Sequence, residues 1–446
     1  MKVMVIGSGG REHAMVWKLA QSEKVERIYA APGNGGTAGE ENCENVDIPG
    51  GDPAETEIQE ALVRYAVQER IDLTLVGPEP PLAAGIVDRF REASLAVVGP
   101  GAAAARLESS KSYAKTFMNK YGVRSARSYT FTGAEEALTA VRTHFGGANK
   151  NPPLVIKADG LAAGKGVVIA GSREEAIRTI TAFMKDGVLG RAGKTIIIEE
   201  YLEGREVSIL AAVSIVPGGN GVILPFVSAR DHKRRFDGDR GPNTGGMGAV
   251  APVPDFNAAA QKDFEAAILT PTLKGMEAEG FDYRGFIFFG LMVQNGKCRL
   301  LEYNVRLGDP ETQAVLPLMD SDFAELCEAV EKGTLAGYCP VWKSGAVCAP
   351  VVVAAGYPGD YRQGDPIAFN ETAFAKTGAI LFAAGTVRGP GGPGGSGLHS
   401  AGGRVLATAA CGADGAEARD RAYRALRAVH FEGMDYRRDI GEPQSR

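Results

Sequence analysis

Residues 300–306 read Leu300-Leu301-Glu302-Tyr303-Asn304-Val305-Arg306 and lead directly into a second motif at residues 307–313. The alternation of apolar and polar residues predicts a strand that turns Glu302, Asn304 and Arg306 to one face. Carboxylate and amide oxygens suit Mg²⁺, and an arginine beside them can neutralise phosphate charge that the metal leaves. The pattern favours a site for a magnesium-bound polyphosphate, and the alternative is a solvated polar face on an edge strand.

The composition is that of a globular protein with several domains. The 446 residues suffice for about three domains, and 44% of them are hydrophobic. With a net charge of -5 and no basic tract, we expect no nucleic-acid partner. The six scattered cysteines predict reduced thiols. Neither a signal peptide nor a membrane span is predicted, so we expect a cytoplasmic protein without membrane contact.

The order of predicted elements divides the chain into three parts. Short apolar runs alternate with amphipathic helices through residues 1–105, which predicts an N-terminal doubly wound, Rossmann-like α/β substrate domain. Residues 106–328 combine strands with glycine-rich connections and form the predicted central domain, with a small flap subdomain at about 123–195. Residues 329–446 form the predicted C-terminal α+β domain. Its glycine-rich stretch at residues 389–397 is of low complexity and has no assigned chemistry.

The first glycine-rich turn, Gly7-Ser8-Gly9-Gly10-Arg11-Glu12-His13, follows a predicted strand and opens a predicted helix. A phosphate can meet main-chain N–H groups at such a helix start. A dinucleotide fingerprint would need glycine in place of Glu12 and an acidic residue after the second strand, where Pro32-Gly33-Asn34-Gly35-Gly36-Thr37 stands instead. The turn therefore argues against an NAD oxidoreductase and for another phosphate ligand, with a structural tight turn as the alternative.

The second glycine-rich turn joins two predicted strands. It reads Lys157-Ala158-Asp159-Gly160-Leu161-Ala162-Ala163-Gly164-Lys165-Gly166, and it lacks the spacing and the following helix of a P-loop. Such a hairpin can close over phosphates, with Lys157 on the strand and Gly164 and Lys165 in the turn. An ordinary exposed hairpin is the alternative.

A polar hinge lies between two further predicted strands, at Glu199-Glu200-Tyr201-Leu202. The main chain of a hinge offers N–H and C=O groups side by side, which matches the edge of an adenine. Glu206, shortly after it, could accept hydrogen bonds from ribose hydroxyls. A solvated acidic corner would explain the same residues.

In combination and in this order, these features resemble the ATP-grasp superfamily. Within it, four stretches resemble the phosphoribosylamine-glycine ligase family, also called glycinamide ribonucleotide synthetases. They are residues 7–13, residues 157–166, Gly241-Pro242-Asn243-Thr244-Gly245-Gly246-Met247-Gly248-Ala249, and Arg306-Leu307-Gly308-Asp309-Pro310-Glu311-Thr312-Gln313. The resemblance runs from Met1 to about Ile440.

The resemblance implies an ATP-dependent carbon-nitrogen ligase of de novo purine biosynthesis. Such an enzyme joins glycine to 5-phosphoribosylamine through glycyl phosphate and yields glycinamide ribonucleotide, ADP and phosphate. Catalysis of this kind rests on positioning and charge neutralisation and needs no side-chain nucleophile. We also expect a monomer.

The resemblance further implies a role for individual residues. Catalysis would use Arg306, Lys157 and Asp231, the last as acceptor of the glycine ammonium, while Glu302 and Asn304 would hold Mg²⁺ or Mn²⁺. The expected ATP contacts are Lys111, Lys157, Gly164, Lys165, Glu199, Glu200, Leu202 and Glu206. The expected phosphoribosylamine contacts are Gly9, Gly10, Arg11, Asn34, Gly35, Thr37, Asn243, Thr244 and Gly245. The strand before Glu302 offers no further carboxylate at Phe288–Met292, so ATP oxygens would have to complete the metal coordination.

Two other functions remain open from the sequence. One is a different carboxylate-amine or carboxylating ligase on the same scaffold, because a fold does not fix a substrate. The other is a non-catalytic nucleotide-binding regulator. The presence of both the metal-binding and the phosphate-binding residue types argues against the regulator.

Overall fold

The computed structural model describes residues 1–48, 51–146, 151–162, 166–389 and 395–442. Its first hundred residues form a parallel sheet with helices, in the strand order β3-β2-β1-β4-β5. The elements are β1 (Lys2–Gly7), α1 (Gly10–Leu19), β2 (Arg27–Pro32), β3 (Cys43–Asn45), α2 (Thr56–Glu69), β4 (Leu73–Val76), α3 (Glu79–Ala83), α4 (Ile86–Glu92), β5 (Val97–Pro100) and α5 (Ala102–Ser109). This is the predicted doubly wound arrangement.

Helix α6 (Lys111–Tyr121) leads into a small subdomain with an antiparallel sheet in the order β6-β9-β7-β8. It contains β6 (Ser128–Phe131), α7 (Ala134–Phe145), β7 (Leu154–Ala158), β8 (Val167–Ala170), α8 (Arg173–Ile180) and β9 (Ile196–Glu200). Ile156, Ile180 and Ile196 belong to its own hydrophobic core. Because β9 is an inner strand, the flap subdomain extends to Glu200, beyond the predicted end at about 195.

The remainder of the central part is mainly antiparallel. Its elements are β10 (Arg205–Ile215), β11 (Val222–Asp231), β12 (Arg234–Phe236), β13 (Arg240–Asn243), β14 (Gly248–Ala251), α9 (Ala258–Phe264), α10 (Thr270–Ala278), β15 (Tyr283–Gln294), β16 (Lys297–Asn304), α11 (Glu311–Val315) and α12 (Phe323–Glu331). Strands β12 and β13 pair as a separate hairpin. Strand β16 is the one that carries Glu302 and Asn304.

The C-terminal part packs helices on antiparallel strands. Its elements are β17 (Ala346–Val353), β18 (Pro366–Phe369), α13 (Glu371–Ala375), β19 (Ile380–Ala383), β20 (Thr386–Arg388), β21 (Gly395–Ser400), β22 (Arg404–Gly412), α14 (Gly415–Leu426), β23 (Val429–His430) and β24 (Asp435–Tyr436). No helix among the described residues is long and apolar enough to cross a membrane.

One sheet of fourteen strands runs through all three parts of the described chain. The N-terminal sheet joins the central one where β5 pairs with β15, at Gly99 opposite Arg284. The central sheet joins the C-terminal one where β14 pairs with β17. The predicted fold class is confirmed, and the shared sheet joins the three parts of the described chain.

Candidate active site

A cavity of about 650 Å³ lies between the flap subdomain and the large sheet. It collects predicted site residues from elements that are far apart in the sequence. Those that line it are Lys111, Lys157, Glu199, Glu200, Leu202, Glu206, Asp231, Asn243, Thr244, Gly245, Glu302, Asn304 and Arg306. Gly164 and Lys165 lie outside the described residues.

Strand β16 places Glu302 and Asn304 at the cavity, opposite Gly290 and Phe288 of β15. Burial opposes the charge of Glu302, but Lys233, Lys157 and Lys111 lower the pKa of its carboxyl, so it is ionised at neutral pH. The described residues contain no cluster of three or more His, Cys, Asp or Glu that could hold a metal. An ionised carboxylate beside an amide oxygen fits a hard cation that takes its remaining ligands from phosphate and water.

Arg306 lies just beyond β16, which ends at Asn304 and not at residue 306 as predicted. Its Nη2 nevertheless donates to Asn304 Oδ1 at 3.3 Å, so the side chains of Asn304 and Arg306 still lie next to each other. Its Nε lies 3.2 Å from Glu79 and its Nη2 lies 2.9 Å from Glu108. Although burial disfavours the cation, these carboxylates raise the pKa of Arg306 above its usual range. The guanidinium is therefore held in place on two sides.

The side chain of Glu199 makes ion pairs that the sequence did not predict. Its carboxylate is 2% exposed and lies 3.0 Å from Lys157 Nζ and 3.1 Å from Lys115 Nζ. Its side chain therefore pairs with two lysines, while the adenine contact expected mostly through the hinge main chain stays a prediction. Burial and the charge of Lys157 lower the pKa of Lys115. Lys115 also lines the cavity and adds a cation that the sequence did not single out, although it lies four residues after Lys111 on the same helix.

The hinge between β9 and β10 is suited to a nucleobase through its main chain. Tyr201 and Leu202 line the cavity and lie between the two strands, outside their pairing. The side chain of Glu200 accepts hydrogen bonds from Arg127 and Arg299 instead, so its contribution to the site is its main chain. Apolar side chains of Val155, Met292 and Leu301 line the same cavity.

Two predicted nucleotide contacts are engaged in ion pairs or hydrogen bonds. Lys111 Nζ donates to the Gly160 carbonyl at 3.0 Å and so links the start of α6 to the flap turn. Glu206 lies 2.7 Å from Lys233 Nζ. Burial opposes the charge of Lys233, but Glu206, Glu302 and Asp231 raise its pKa above the usual range. Lys233 also lines the cavity and is a further cation that was not among the predicted site residues.

Asp231 is the last residue of β11 and lines the cavity. Its Oδ1 is buried and has no hydrogen-bond partner among the described residues. Burial and the nearby charge of Glu311 raise its pKa well above the ordinary aspartate range. A buried acceptor of this kind can receive an ammonium group.

The Asn243–Gly245 segment is fixed by its neighbours. Thr244 donates to the Lys233 carbonyl through both its N–H and its hydroxyl, each at 2.8 Å. Arg404 Nη1 donates to the Gly245 carbonyl at 2.6 Å and lies 3.2 Å from Asp309. This contact attaches the C-terminal part to a segment that lines the cavity, which the sequence did not predict.

The six predicted phosphate contacts of the N-terminal part are not among the described residues that line the cavity. They are Gly9, Gly10, Arg11, Asn34, Gly35 and Thr37. Arg11 pairs with Glu12 at 2.5 Å and donates to the Leu307 carbonyl. Asn34 donates to the carbonyls of Ser8 and Ala383, and the N–H of Gly35 donates to the Thr386 carbonyl. Thr37 is buried and bonds within its own loop, donating to Asn45 at 2.7 Å. The bonds of Asn34 to Ala383 and of Gly35 to Thr386 join this N-terminal loop to the C-terminal strands.

The chain matches three family models along most of its length. They are described as the N domain, the ATP-grasp (A) domain and the C domain of phosphoribosylglycinamide synthetase, and they cover residues 1–108, 109–312 and 346–443. These matches follow the three-part organisation predicted from the sequence.

Full-length relatives agree with the family models. The phosphoribosylamine–glycine ligase of Clostridium acetobutylicum is 48% identical over 443 residues, which cover 99% of this chain and 100% of the relative. That of Yersinia pestis is 43% identical over 445 residues, or 99% of this chain and 98% of the relative.

Solved structures show the same fold. The crystal structure of phosphoribosylamine–glycine ligase from Thermotoga maritima has a TM-score of 0.81 and 36% identity, covering 99% of this chain and 100% of that chain. A biotin carboxylase from Campylobacter jejuni has a TM-score of 0.68 at 14% identity, covering 97% and 92%, which is a likeness of fold alone. The resemblance seen in the sequence motifs is confirmed, and the chain belongs to the phosphoribosylglycinamide synthetase family.

Proposed function

We propose that this protein is an ATP-dependent ligase that joins glycine to 5-phosphoribosylamine, giving glycinamide ribonucleotide, ADP and phosphate in purine biosynthesis. One observation carries the proposal: a single cavity holds the ionised Glu302 beside Asn304, the lysines of the flap and α6, and Asp231, whose buried Oδ1 has no hydrogen-bond partner among the described residues. Such a cavity has groups for a metal-bound polyphosphate and for an ammonium. Membership of the family supports the choice of these two small substrates.

In the first step, a carboxylate oxygen of glycine attacks the γ-phosphorus of ATP and ADP leaves. Lys157 and Arg306 would balance the charge that builds up on the transferring phosphoryl group. Glu302 and Asn304 would hold Mg²⁺ or Mn²⁺, which supplies charge neutralisation at the ATP phosphates. Asp231 would hold the glycine ammonium, so that the carboxylate points toward the phosphate-binding side.

In the second step, the amine of phosphoribosylamine attacks the carbonyl carbon of glycyl phosphate. The C–O bond to phosphate breaks, phosphate takes the electron pair, and the new amide nitrogen loses a proton. Enclosure by the flap would exclude water, which otherwise hydrolyses an acyl phosphate. The chain then contributes mainly orientation, in keeping with the rigid pairing of Arg306 by Glu79 and Glu108.

The adenine would lie against the main chain of the Glu200–Leu202 hinge, with Glu206 near the ribose. Lys111, Lys157 and Lys115 would face the phosphates, and Gly164 and Lys165 of the flap turn stay predicted contacts. Glu199 would act by holding Lys157 and Lys115 in place.

Phosphoribosylamine would meet Asn243, Thr244 and Gly245. Gly9, Gly10, Arg11, Asn34, Gly35 and Thr37 stay predicted contacts of its phosphate. The side chains of Arg11, Asn34 and Thr37 are already bonded within the protein, and so are the main-chain N–H groups of Gly9, Asn34, Gly35 and Thr37. Phosphate binding there would therefore require some of these hydrogen bonds to be exchanged for bonds to the substrate. A cytoplasmic location and a monomeric state are further proposals, and light scattering of the purified protein tests the second.

Transfer of oxygen from labelled glycine tests the acyl phosphate. With glycine carrying ¹⁸O in both carboxylate oxygens, the proposal predicts one ¹⁸O in each phosphate released and one in the amide product. Phosphate without label would mean that glycine is not phosphorylated and would contradict the mechanism. Replacing glycine by bicarbonate tests a carboxylating ligase, for which phosphate release should then be supported equally well.

A further inference from the structure

The hairpin of β12 and β13 is supported from behind by the C-terminal segment of residues 435–439. We propose that Arg437 is a positioning residue for phosphoribosylamine binding, because it fixes this hairpin and thereby the Asn243–Gly245 segment that follows it. The inference rests on the proposed function, since it names the substrate whose binding depends on the hairpin.

Arg437 is among the largest fully buried side chains in the described chain, with 2% exposure. Its Nη1 donates to Asp239 at 2.7 Å and to the Arg234 carbonyl at 3.0 Å, so it holds strand β12 and the turn that leads into β13. Its Nε and Nη2 donate to the two carboxylate oxygens of Asp439 at 2.8 and 2.7 Å. A planar guanidinium with several donors can make all these contacts at once, whereas a lysine cannot.

Neighbouring residues of the same segment reinforce the contact. The N–H of Arg438 donates to Asp237 at 2.8 Å, and Asp439 accepts the N–H of Gly238 at 2.8 Å. Asp435 lies 2.8 Å from Arg235. Burial opposes ionisation of Asp439, but hydrogen bonds from Arg437 and Gly238 lower its pKa to about 2, so the arrangement stays charged at neutral pH.

The other face of the hairpin meets the cavity. Arg234, Asp239 and Asn243 all line it, and Thr244 follows directly. Strand β13 ends at Asn243, so a shift of the hairpin changes where the Asn243–Gly245 segment begins. The hinge and the lysines of the proposed ATP site make none of these contacts. A loosened hairpin should therefore weaken phosphoribosylamine binding and leave ATP and glycine binding largely unchanged.

The test uses the full-length protein with Arg437→Gln, Arg437→Lys and Asp239→Asn. The last variant removes the negative charge from the hairpin side of the contact, and because the Asp239 side chain is partly exposed it does not open the core. Arg438→Gln is the matched control, since the side chain of Arg438 is exposed and its contact with Asp237 is made by the main chain. Initial rates of ADP release give KM for ATP, glycine and freshly generated phosphoribosylamine. Hydrogen exchange over residues 234–245 reports the order of the hairpin.

We expect Arg437→Gln to raise KM for phosphoribosylamine between about tenfold and a hundredfold, since small misplacements have effects of that size. KM for ATP and glycine should change less than about threefold. Arg437→Lys should raise this KM less than Arg437→Gln does, and Asp239→Asn should raise it as well. The Arg437→Gln/Asp239→Asn double variant should raise it by less than the product of the two single increases. Faster exchange of the hairpin should accompany each loss.

The inference would be overturned if all three KM values increased equally. It would also be overturned if Asp239→Asn made the hairpin exchange fast but left the KM for phosphoribosylamine normal. If Arg437→Gln does not fold, Asp239→Asn alone decides between the two results. A wild-type protein whose ADP release does not depend on both substrates would refute the proposed function instead, so the two failures are distinguishable.

Discussion

The guanidinium of Arg306 lies 2.9 Å from one carboxylate oxygen of Glu108, whose other oxygen accepts the N–H of Val305 at 2.7 Å. Glu79 holds the same guanidinium from another side. The end of β16 is thus attached to the N-terminal part of the chain through an arginine that also lines the cavity. Fixed side chains of this kind reduce the reorganisation that a reaction requires.

Arg306→Lys should lower kcat by about a hundredfold or more, because an ammonium keeps the charge but cannot contact Glu79, Glu108 and a substrate together. KM for ATP should change much less. Steady-state rates and circular dichroism are the measurements, and Lys297→Arg, on the exposed part of β16, is the control. A kcat within about twofold of wild type would remove Arg306 from the reaction.

Glu302→Gln should nearly abolish turnover while the fold remains intact. The amide keeps the shape of the side chain but loses the negative charge that Lys233, Lys157 and Lys111 surround, and with it one metal ligand. A titration of activity with Mg²⁺ and Mn²⁺ measures the effect, and Lys297→Gln on the same strand controls for changes in the sheet. Wild-type activity at saturating metal would show that Glu302 is not a ligand.

Glu199→Gln should destabilise the protein by about 3 kcal/mol, since it leaves Lys115 and Lys157 facing each other without a counter-charge. Lys115→Met should cost less, because Glu199 keeps its partner Lys157, but it should raise KM for ATP. Urea unfolding and ATP kinetics are the two measurements. A Lys115→Met protein that is less stable than Glu199→Gln would contradict this account of the cluster.

Asp231→Asn should raise thermal stability at neutral pH while weakening glycine binding. Burial and the charge of Glu311 raise the pKa of Asp231 in the folded state, so the carboxyl holds its proton more tightly in the folded protein than in the unfolded chain. The wild type therefore loses stability as pH rises from the ordinary aspartate range to the raised pKa, and the asparagine variant does not. The melting temperatures of the wild type and Asp231→Asn should agree below about pH 3, and that of Asp231→Asn should be higher at about pH 7.

Glycine binding should follow the same group in the opposite sense. The ionised carboxylate is the form that attracts an ammonium, so KM for glycine in the wild type should fall as pH rises through the raised pKa. Asp231→Asn should have a higher KM without that pH dependence. A pH-independent KM in the wild type would place the glycine ammonium elsewhere.

Local patterns were sufficient to predict the elements that carry the proposed chemistry. The alternation around Glu302 predicted β16, and the glycine turns predicted the β1–α1 connection and the β7–β8 hairpin. One boundary was wrong: the polar alternation continues to Arg306, but the strand ends at Asn304 because the chain turns there so that Arg306 can reach Glu108.

Contacts between distant parts of the chain could not be predicted in this way. Glu79 follows the end of a strand, where ligands often bind, but no local pattern predicts that Glu79 and Glu108 pair with Arg306, about two hundred residues further on. Lys115 looks like a solvated helix residue until Glu199 is placed beside it. Asn34 follows a strand end, where ligands often bind, but it bonds to Ala383 of the C-terminal part. Arg437 likewise acquires its role only through the hairpin that it supports.

ADP release measured with each substrate omitted in turn tests the central claim most directly. With glycine, freshly generated phosphoribosylamine and a divalent metal, the account predicts rapid release of ADP together with formation of an amide. Without glycine no ADP should form above the background, and without phosphoribosylamine release should be slow because glycyl phosphate stays enclosed. Equal ADP release without glycine, or none with the complete mixture, would contradict the ligase function.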